Sequence, residues 1–416
     1  MRIAFIVDQF PSLSETFILN QITGLIDRGH EVDIYCDRQG NTNQMHSEIA
    51  EYGLLARTHF TVIPRNIVWR YLRGIWLFLG NFSRSPDTFL NSLNFFKYNS
   101  TRYGDLADWF KPLYLMLPWL KQSPYDIIHC HYGRNGLKAI LLKDLGITDG
   151  KIIVAFHGND MSAYLQRHGK NIYDYLFQRA DLMQPISHVW ATKLRQLGCS
   201  PDKIMVHRMG VDCQKFTPTT KEDKPNREIV VVSVARLVAK KGLSYGISAI
   251  ARLIDRQQKS MLRYQIVGDG VLRPELATQI ERLQIGDRVE LLGWKNRQEV
   301  RQIIAQADIV LAPSITSETG DCEGIPVSLM ETMAQAIPVV STYHSGIPEL
   351  VEDDITGYLA PEKDVPALAQ KLEHLAANPS LRQTMGKAGR DKVLKDYNIG
   401  LLCDRLVQTY QQLLSQ

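Results

Sequence analysis

The run Ile229-Val230-Val231-Val232-Ser233-Val234 is a short apolar segment that leads into Ala235-Arg236-Leu237 and then into the turn Lys240-Lys241-Gly242. Short runs rich in Val and Ile and bounded by turns are typical of parallel strands that are buried on both faces. Similar runs, separated by segments of helical periodicity, form two series along the chain. The first series is 2–7, 31–36, 127–130, 152–156 and 182–186, and the second is 229–234, 263–267, 288–292, 308–312 and 338–341. The sequence therefore predicts an α/β protein with two parallel sheets.

The length of the chain also favours two domains, because 416 residues exceed what one ordinary hydrophobic core accommodates. The polar stretch 217–226 contains Pro218 and Pro225 and predicts a linker. We therefore expect a first domain over 1–216, a second over 217–398, and an amphipathic C-terminal helix over 399–416 that crosses back to the first domain.

The composition, with 44% hydrophobic and 22% charged residues, is ordinary for a soluble globular protein. The six cysteines are scattered and include no Cys-x-x-Cys pair, which argues against a zinc knuckle and a disulfide framework. The N-terminal apolar run is too short for a signal peptide and ends at Asp8. The apolar segment 67–80 carries Arg70 and Arg73 and falls short of the roughly 20 residues that a membrane span needs. A cytoplasmic protein is expected.

A helix is predicted after the first strand, because Ser12-Leu13-Ser14-Glu15 has the spacing of a capping box. The N-terminus of such a helix could hold a ligand, which makes Ser14 and Glu15 candidate site residues.

The stretch Glu323-Gly324-Ile325-Pro326-Val327-Ser328-Leu329-Met330-Glu331 places the first carboxylate in a loop and the second in the helix that follows. A carboxylate is a natural bidentate acceptor for the vicinal hydroxyls of a sugar, so the pair suits a ligand that carries both a ribose and a hexose. The alternative is that both residues cap or solvate the helix.

Arg236 and Lys241 follow the strand 229–234 and are candidates for binding a diphosphate, because ligands of open α/β sheets bind beyond the carboxyl ends of the strands. The alternative is that both are surface charges. The turn Gly268-Asp269-Gly270 lacks the third glycine of a dinucleotide fingerprint. Together with Leu292-Gly293-Trp294, it predicts several glycine turns along one sheet edge.

These motifs, together with the Glu-x7-Glu arrangement and Ser345-Gly346-Ile347-Pro348-Glu349, resemble glycosyltransferase family 4, the retaining enzymes of the GT-B fold. The resemblance implies two Rossmann-like domains that face each other across a cleft. It places Arg236 and Lys241 on the donor diphosphate, Glu331 on the ribose and Glu323 on the transferred sugar. Further donor-binding residues implied in this way are Gly268, Trp294, Pro326 and Val327.

In the first half, Phe156-His157-Gly158-Asn159-Asp160 resembles the family segment whose histidine faces the donor sugar, which makes His157 a second candidate catalytic residue beside Glu323. His131 and Asn135 follow another strand, and their spacing does not specify a metal site. We interpret them as residues on the acceptor side, like Ser14 and Glu15, or as structural residues. The loop 10–17 departs from the common paired-glycine pattern and resembles a subgroup associated with bacterial exopolysaccharide and colanic acid assembly.

The segment 64–121 carries eight Lys and Arg residues against three Asp residues, a net charge of +5, interleaved with Trp and Phe. This pattern suits contact with an anionic membrane and a lipid-linked acceptor. The alternative is that the aromatic residues fill the core of the first domain. Nucleic acid is not expected as a partner, because no recognised binding motif accompanies the charge.

The resemblance implies a hexosyltransferase of exopolysaccharide or cell-surface polysaccharide synthesis that uses a UDP- or GDP-sugar and retains the anomeric configuration. No cofactor and no obligatory metal are expected, since the sequence has no Asp-x-Asp triplet. The expected location is the cytoplasm, with peripheral contact at the inner face of the plasma membrane. The alternatives are a sugar-nucleotide epimerase of the same fold and a non-catalytic sugar-nucleotide-binding subunit.

Overall fold

The structure is a computed structural model that describes residues 1–13, 15–42, 45–84, 86–94, 97–108, 110–218, 228–256 and 262–416. The chain forms two compact units. The first unit comprises Met1–His207 and Cys403–Gln416, and the second comprises Arg208–Leu402. Most of the predicted linker 217–226 lies outside the described residues.

Each unit contains a six-stranded sheet in which all the paired strands are parallel. The strand order is β3-β2-β1-β4-β5-β6 in the first unit and β12-β11-β10-β7-β8-β9 in the second. The strands are β1 Arg2–Phe10, β2 Glu31–Gln39, β3 Thr58–Phe60, β4 Ile127–His131, β5 Lys151–Phe156, β6 Leu182–Pro185, β7 Ile229–Val234, β8 Leu262–Val267, β9 Val289–Gly293, β10 Ile309–Ala312, β11 Val339–Thr342 and β12 Tyr358–Ala360.

Helices connect the strands in the right order for doubly wound sheets. The α-helices are α1 Thr16–Ile26, α2 Ser47–Glu51, α3 Ile67–Asn81, α4 Pro86–Ser92, α5 Ser100–Tyr103, α6 Lys111–Met116, α7 Gly133–Asp144, α8 Ala163–His168, α9 Asp174–Arg179, α10 His188–Gln196, α11 Leu243–Arg256, α12 Arg273–Arg282, α13 Arg297–Gln306, α14 Val327–Ala334, α15 Ile347–Leu350, α16 Val365–Ala377, α17 Pro379–Asp396 and α18 Ile399–Leu414. Short 3-10 helices include Asn159–Met161 after β5 and Ala239–Lys241 after β7.

The core of the second unit shows why these segments fold as they do. Ile247 and Ile250 are fully buried on one face of α11, and Leu368 and Leu372 are fully buried on α16, which packs on α11. Apolar residues at intervals of three and four place one face of each helix against the core. Burial of each such side chain contributes about 1.5–3 kcal/mol to the stability of the fold, and this burial keeps the helices packed on the sheet.

The strands predicted from the apolar runs are all present, with ends that differ by a few residues at most. The edge strands β3 and β12 have no counterpart in the prediction, because each is only three residues long and its pattern is too short to recognise. The predicted capping box is wrong. The helix α1 begins at Thr16, and Glu15 occupies its N-cap position. The side chain of Glu15 accepts no capping hydrogen bond from the first turn of the helix.

The C-terminal segment forms α18, as its periodicity predicts. Residues of this helix from Cys403 onward belong to the first unit, where Arg28 Nε lies 2.7 Å from Asp404 Oδ1 and Tyr410 Oη lies 2.6 Å from His129 Nδ1.

Candidate functional site

A buried group of charges lies at the carboxyl edge of the second sheet. Lys241 Nζ lies 2.8 Å from Glu323 Oε2, and Lys240 Nζ lies 3.4 Å from Glu323 Oε1 and 3.1 Å from Asp321 Oδ2. Burial alone would raise the pKa of Glu323, but Lys241 and Lys240 lower it to about 2. The carboxylate is therefore ionised at neutral pH and is clamped between two lysines.

The structure thus brings together residues that the sequence analysis assigned to different parts of a ligand, Lys241 to a diphosphate and Glu323 to a sugar. Lys240 had no assigned role, although its position beside Lys241 was a signal for one. His344 was also missed. Its Nε2 accepts a hydrogen bond from the main-chain nitrogen of Glu323 at 3.0 Å.

Glu331 lies in α14 and Glu323 in the preceding loop, as the pattern predicts. Pro326 is the N-cap residue of this helix and Val327 its first residue, so both determine where the helix starts. Burial raises the pKa of Glu331 to about 7, although Arg297 opposes this shift. A ligand that donates hydrogen bonds to Glu331 would favour its charged form.

Arg236 lies directly after β7 and its side chain is exposed, and Trp294 lies after β9 with half its surface exposed. Both are accessible to a ligand at this edge. Gly268 has φ = +131°, and a Cβ there would collide with the carbonyl oxygen of Ala235. Its main-chain nitrogen donates to Gly293 O at 2.9 Å. The glycine therefore allows the loops after β7, β8 and β9 to pack closely.

In the first unit, His131 and His157 form a buried pair at the ends of β4 and β5, with His131 Nδ1 2.9 Å from His157 Nε2. Burial lowers the pKa of His157 to about 3 and lowers that of His131 well below its ordinary value. Both imidazoles are therefore neutral at pH 7. His157 Nδ1 is buried and makes no hydrogen bond within the part of the chain that the structure describes.

Asp160, which the sequence analysis left unassigned, organises the loop that carries His157. Its Oδ1 accepts hydrogen bonds from the main-chain nitrogens of His157 at 3.0 Å and Gly158 at 2.9 Å, and its Oδ2 accepts one from Gly133 at 3.3 Å. Burial raises the pKa of Asp160 to about 6, with these hydrogen bonds opposing the rise. The carboxyl group thus ties the end of β5 to the start of α7.

A second polar group lies near the same sheet edge. Tyr132 Oη donates to Glu15 Oε1 at 2.7 Å, and Asn135 Nδ2 donates to Asp8 Oδ1 at 3.0 Å. Burial raises the pKa of Glu15, while the Tyr132 hydrogen bond lowers it. Glu15 and Asn135 therefore lie among buried polar groups, whereas Ser14, which was predicted beside Glu15, lies outside the described residues.

Among the described residues, no three His, Cys, Asp or Glu side chains converge in a group that could hold a metal ion. No helix in those same ranges is both long and apolar enough to cross a bilayer.

The segment 64–121 contains both buried and exposed aromatic residues. Trp119 is buried and stacks on Tyr35 with 3.9 Å between ring centroids, whereas Trp69 and Trp76 on α3 are 66% and 71% exposed. Phe95, Phe96 and Trp109 lie outside the described residues. One part of the segment therefore belongs to the core, and α3 presents apolar side chains to solvent.

The fold agrees with what comparison with known protein families shows. The family model for "Glycosyl transferases group 1" matches residues 216–392, and the family model for "Glycosyl transferase 4-like domain" matches residues 14–210. The chain belongs to this family of glycosyltransferases and is an enzyme of the GT-B fold.

Its curated relatives include WcaL of Salmonella typhimurium, named for colanic acid biosynthesis, which is 41% identical over 96% of this chain and 96% of its own. The amylovoran biosynthesis glycosyltransferase AmsK of Erwinia amylovora is 36% identical over 99% of this chain and 100% of its own. Among solved structures, HepE of Anabaena in complex with UDP and glucose superposes with a TM-score of 0.73 at 16% identity, over 99% of this chain and 100% of that one.

Proposed function

We propose that this enzyme transfers a hexosyl group from a UDP- or GDP-sugar to a glycan or lipid-linked acceptor, in the synthesis of an exopolysaccharide or another cell-surface polysaccharide. The observation that carries the proposal is the clamp of Lys240 and Lys241 around Glu323. The exposed Arg236 follows the same strand, β7, as the two lysines. The names of WcaL and AmsK support the polymer class.

The residues divide into roles by their charge. Arg236 and Lys241 neutralise the diphosphate as it leaves, because fixed cations stabilise charge that develops in the transition state. Arg236 and Lys241 would supply this charge without a metal, which supports metal-independent transfer. Glu331 accepts hydrogen bonds from the ribose hydroxyls, and Glu323 Oε1 retains a lone pair for a sugar hydroxyl.

Retention of the anomeric configuration is the second part of the proposal. The acceptor attacks the face of the sugar from which the diphosphate leaves, and the leaving phosphate takes the proton of the acceptor hydroxyl. His157, whose buried Nδ1 has no hydrogen-bond partner among the described residues, binds a hydroxyl of the donor sugar, while Glu15, His131 and Asn135 belong to the acceptor side. Ser14 is proposed there on sequence alone.

A peripheral membrane location is the third part. The exposed face of α3 carries Val68, Trp69, Leu72, Ile75, Trp76 and Leu79, which are 49–71% exposed. Exposed Arg65 and Arg73 flank this face, and Asn66 caps the helix. Tryptophan and aliphatic residues beside cations suit a helix that lies in the headgroup region of an anionic bilayer. A lipid-linked acceptor at the cytoplasmic surface would then be within reach.

The proposed transfer is tested by incubating the purified protein with a panel of UDP- and GDP-sugars, with and without lipid-linked glycan acceptors. Release of UDP or GDP that depends on the acceptor, with an α-linked product from an α-linked donor, is the expected result. Interconversion of the sugar without release of nucleotide would identify an epimerase. Binding without turnover of any donor would identify a non-catalytic subunit.

A further inference from the structure

A single chain of polar contacts crosses four neighbouring strands of the second sheet. The strands β12, β11, β10 and β7 lie side by side in that order. The loops that follow them contribute, in the same order, Glu362, His344, Glu323 and Lys241. The contact distances along this chain are 2.6, 3.0 and 2.8 Å.

The direction of these hydrogen bonds defines the state of His344, whose side chain is 1% exposed. The main-chain nitrogen of Glu323 can only donate, so His344 Nε2 must be an unprotonated acceptor. The imidazole proton then lies on Nδ1 and is donated to Glu362 Oε1 at 2.6 Å. The imidazole is therefore the neutral Nδ1–H tautomer, selected by the partner at each nitrogen.

Glu362 is suited to accept this proton. Thr316 donates to it from its main-chain nitrogen at 2.8 Å and from its hydroxyl at 3.3 Å. Burial raises the pKa of Glu362, but the hydrogen bonds from Thr316 and His344 outweigh burial and lower it. Thr316 and Glu323 belong to the same loop, so Glu362 and His344 hold this loop at two points.

We infer that His344 is a positioning residue of the donor site, which holds the main chain at Glu323 so that the carboxylate stays between Lys240 and Lys241. The inference rests on the donor role proposed above for Glu323 and the lysines. The loop runs from residue 313 to residue 326 between β10 and α14, and a loop of this length needs contacts outside itself to keep one conformation. His344 supplies that contact at the residue whose carboxylate enters the site.

Two substitutions test the hydrogen bonds of the two imidazole nitrogens separately. In His344→Gln, the amide oxygen reaches the position of Nε2 and can still accept from Glu323. In His344→Asn, the shorter amide can donate to Glu362 from the position of Nδ1 but does not reach Glu323. We expect kcat/KM for transfer within about threefold of wild type for His344→Gln and a loss of about 10- to 100-fold for His344→Asn, because misplacement by about 1 Å has effects of this size.

If His344 only filled space, His344→Gln and His344→Asn would not differ in kcat/KM in this way. Equal activity of both variants and wild type, or a greater loss in His344→Gln than in His344→Asn, would overturn the inference. Thermal unfolding of each variant shows whether it is folded. If His344→Asn does not fold, Glu362→Ala serves instead, since it removes the acceptor of the Nδ1 proton and should lower transfer in the same direction.

A spectroscopic measurement tests the arrangement without any donor. Long-range ¹H–¹⁵N spectra of protein labelled at histidine, with the His344 signals assigned from their absence in His344→Gln, should show protonated Nδ1 and unprotonated Nε2 at neutral pH. Protonation on Nε2 would overturn the inference even if transfer is observed. A wild-type protein that shows this tautomer but uses no nucleotide sugar would overturn the proposed function instead.

Discussion

Lys241 Nζ lies 2.8 Å from Glu323 Oε2, although 82 residues separate the two along the chain. The contact joins the loops that follow neighbouring strands β7 and β10, so the sheet brings a cation and an anion together at its carboxyl edge. Because Lys240 approaches the other oxygen, Glu323 keeps its charge in a buried position. A ligand that binds here meets a charge arrangement that is already organised.

Arg236→Ala and Lys241→Ala should each lower the rate of transfer by about 10²–10³, because each removes a cation that would stabilise the leaving diphosphate. Steady-state kinetics with a donor identified in the panel measure this. Lys241→Ala should have the larger effect, since it also releases one side of Glu323. Arg252→Ala, on an exposed position of α11, is the matched control and should leave the rate unchanged. Rates within threefold of wild type in a folded variant would remove that residue from the site.

Glu331→Gln should stabilise the protein at pH 8 and have no effect on stability at pH 4. The pKa of this carboxyl group is about 4.5 in the unfolded chain, and burial raises it to about 7 in the folded protein. Between these two pKa values, the folded state binds a proton that the unfolded state has lost. The free energy of unfolding of the wild type therefore falls as the pH rises through this range. The gain at pH 8 should be of the order of 1–3 kcal/mol.

Urea unfolding at both pH values measures this effect, with Glu281→Gln at an exposed position of α12 as the control. The same Glu331→Gln variant should bind the donor more weakly, since it loses an acceptor for the ribose. A destabilised variant at pH 8 would show that Glu331 is ionised and paired in the folded protein.

Asp160→Asn should destabilise the protein by about 1–3 kcal/mol, because an amide cannot accept at both of its ends from the main-chain donors that now surround the carboxylate. Thermal or urea unfolding measures the change, and Asp202→Asn at an exposed position is the control. An unchanged free energy of unfolding would mean that the loop of His157 is held by other contacts.

Transfer to a soluble acceptor should continue in excess EDTA, because the proposed charge stabilisation comes from Arg236 and the two lysines. The measurement is the initial rate after exhaustive chelation, with and without added magnesium or manganese. A complete loss of turnover that either ion restores would contradict the metal-independent mechanism.

The face of α3 should bind anionic vesicles and not neutral ones. Changing Trp69, Trp76 and Leu79 to Ser should abolish flotation, and changing Arg65 and Arg73 to Gln should weaken it by about 1 kcal/mol per charge in a way that salt screens. Arg70 is a poorer choice, because its guanidinium donates to Pro64 O at 3.0 Å.

The control for this experiment is Val271→Ser, which removes an apolar side chain that is 81% exposed on the second unit. Release of nucleotide with a soluble acceptor should not change in any of these variants. Equal flotation with both kinds of vesicle, or none at low salt, would refute the membrane contact.

The sequence by itself determined the strands, the two-sheet organisation and the family, because these depend on local patterns. A run such as Ile229–Val234 records burial on both faces of a strand, and the motif from Glu323 to Glu331 records a loop followed by a helix. The short edge strands β3 and β12 were not predicted, since a three-residue pattern carries too little signal.

Only the tertiary structure decided which charges meet. The contacts of Glu323 with Lys240, Lys241 and His344 depend on the order of strands in the sheet, which brings loops distant in sequence to one edge. The exposure of Trp69 and the burial of Trp119 depend likewise on which helix face packs inward. A local sequence pattern shows how each segment is buried. Contacts between segments that are distant in sequence arise from packing, and no local pattern in a single sequence shows which segments will meet.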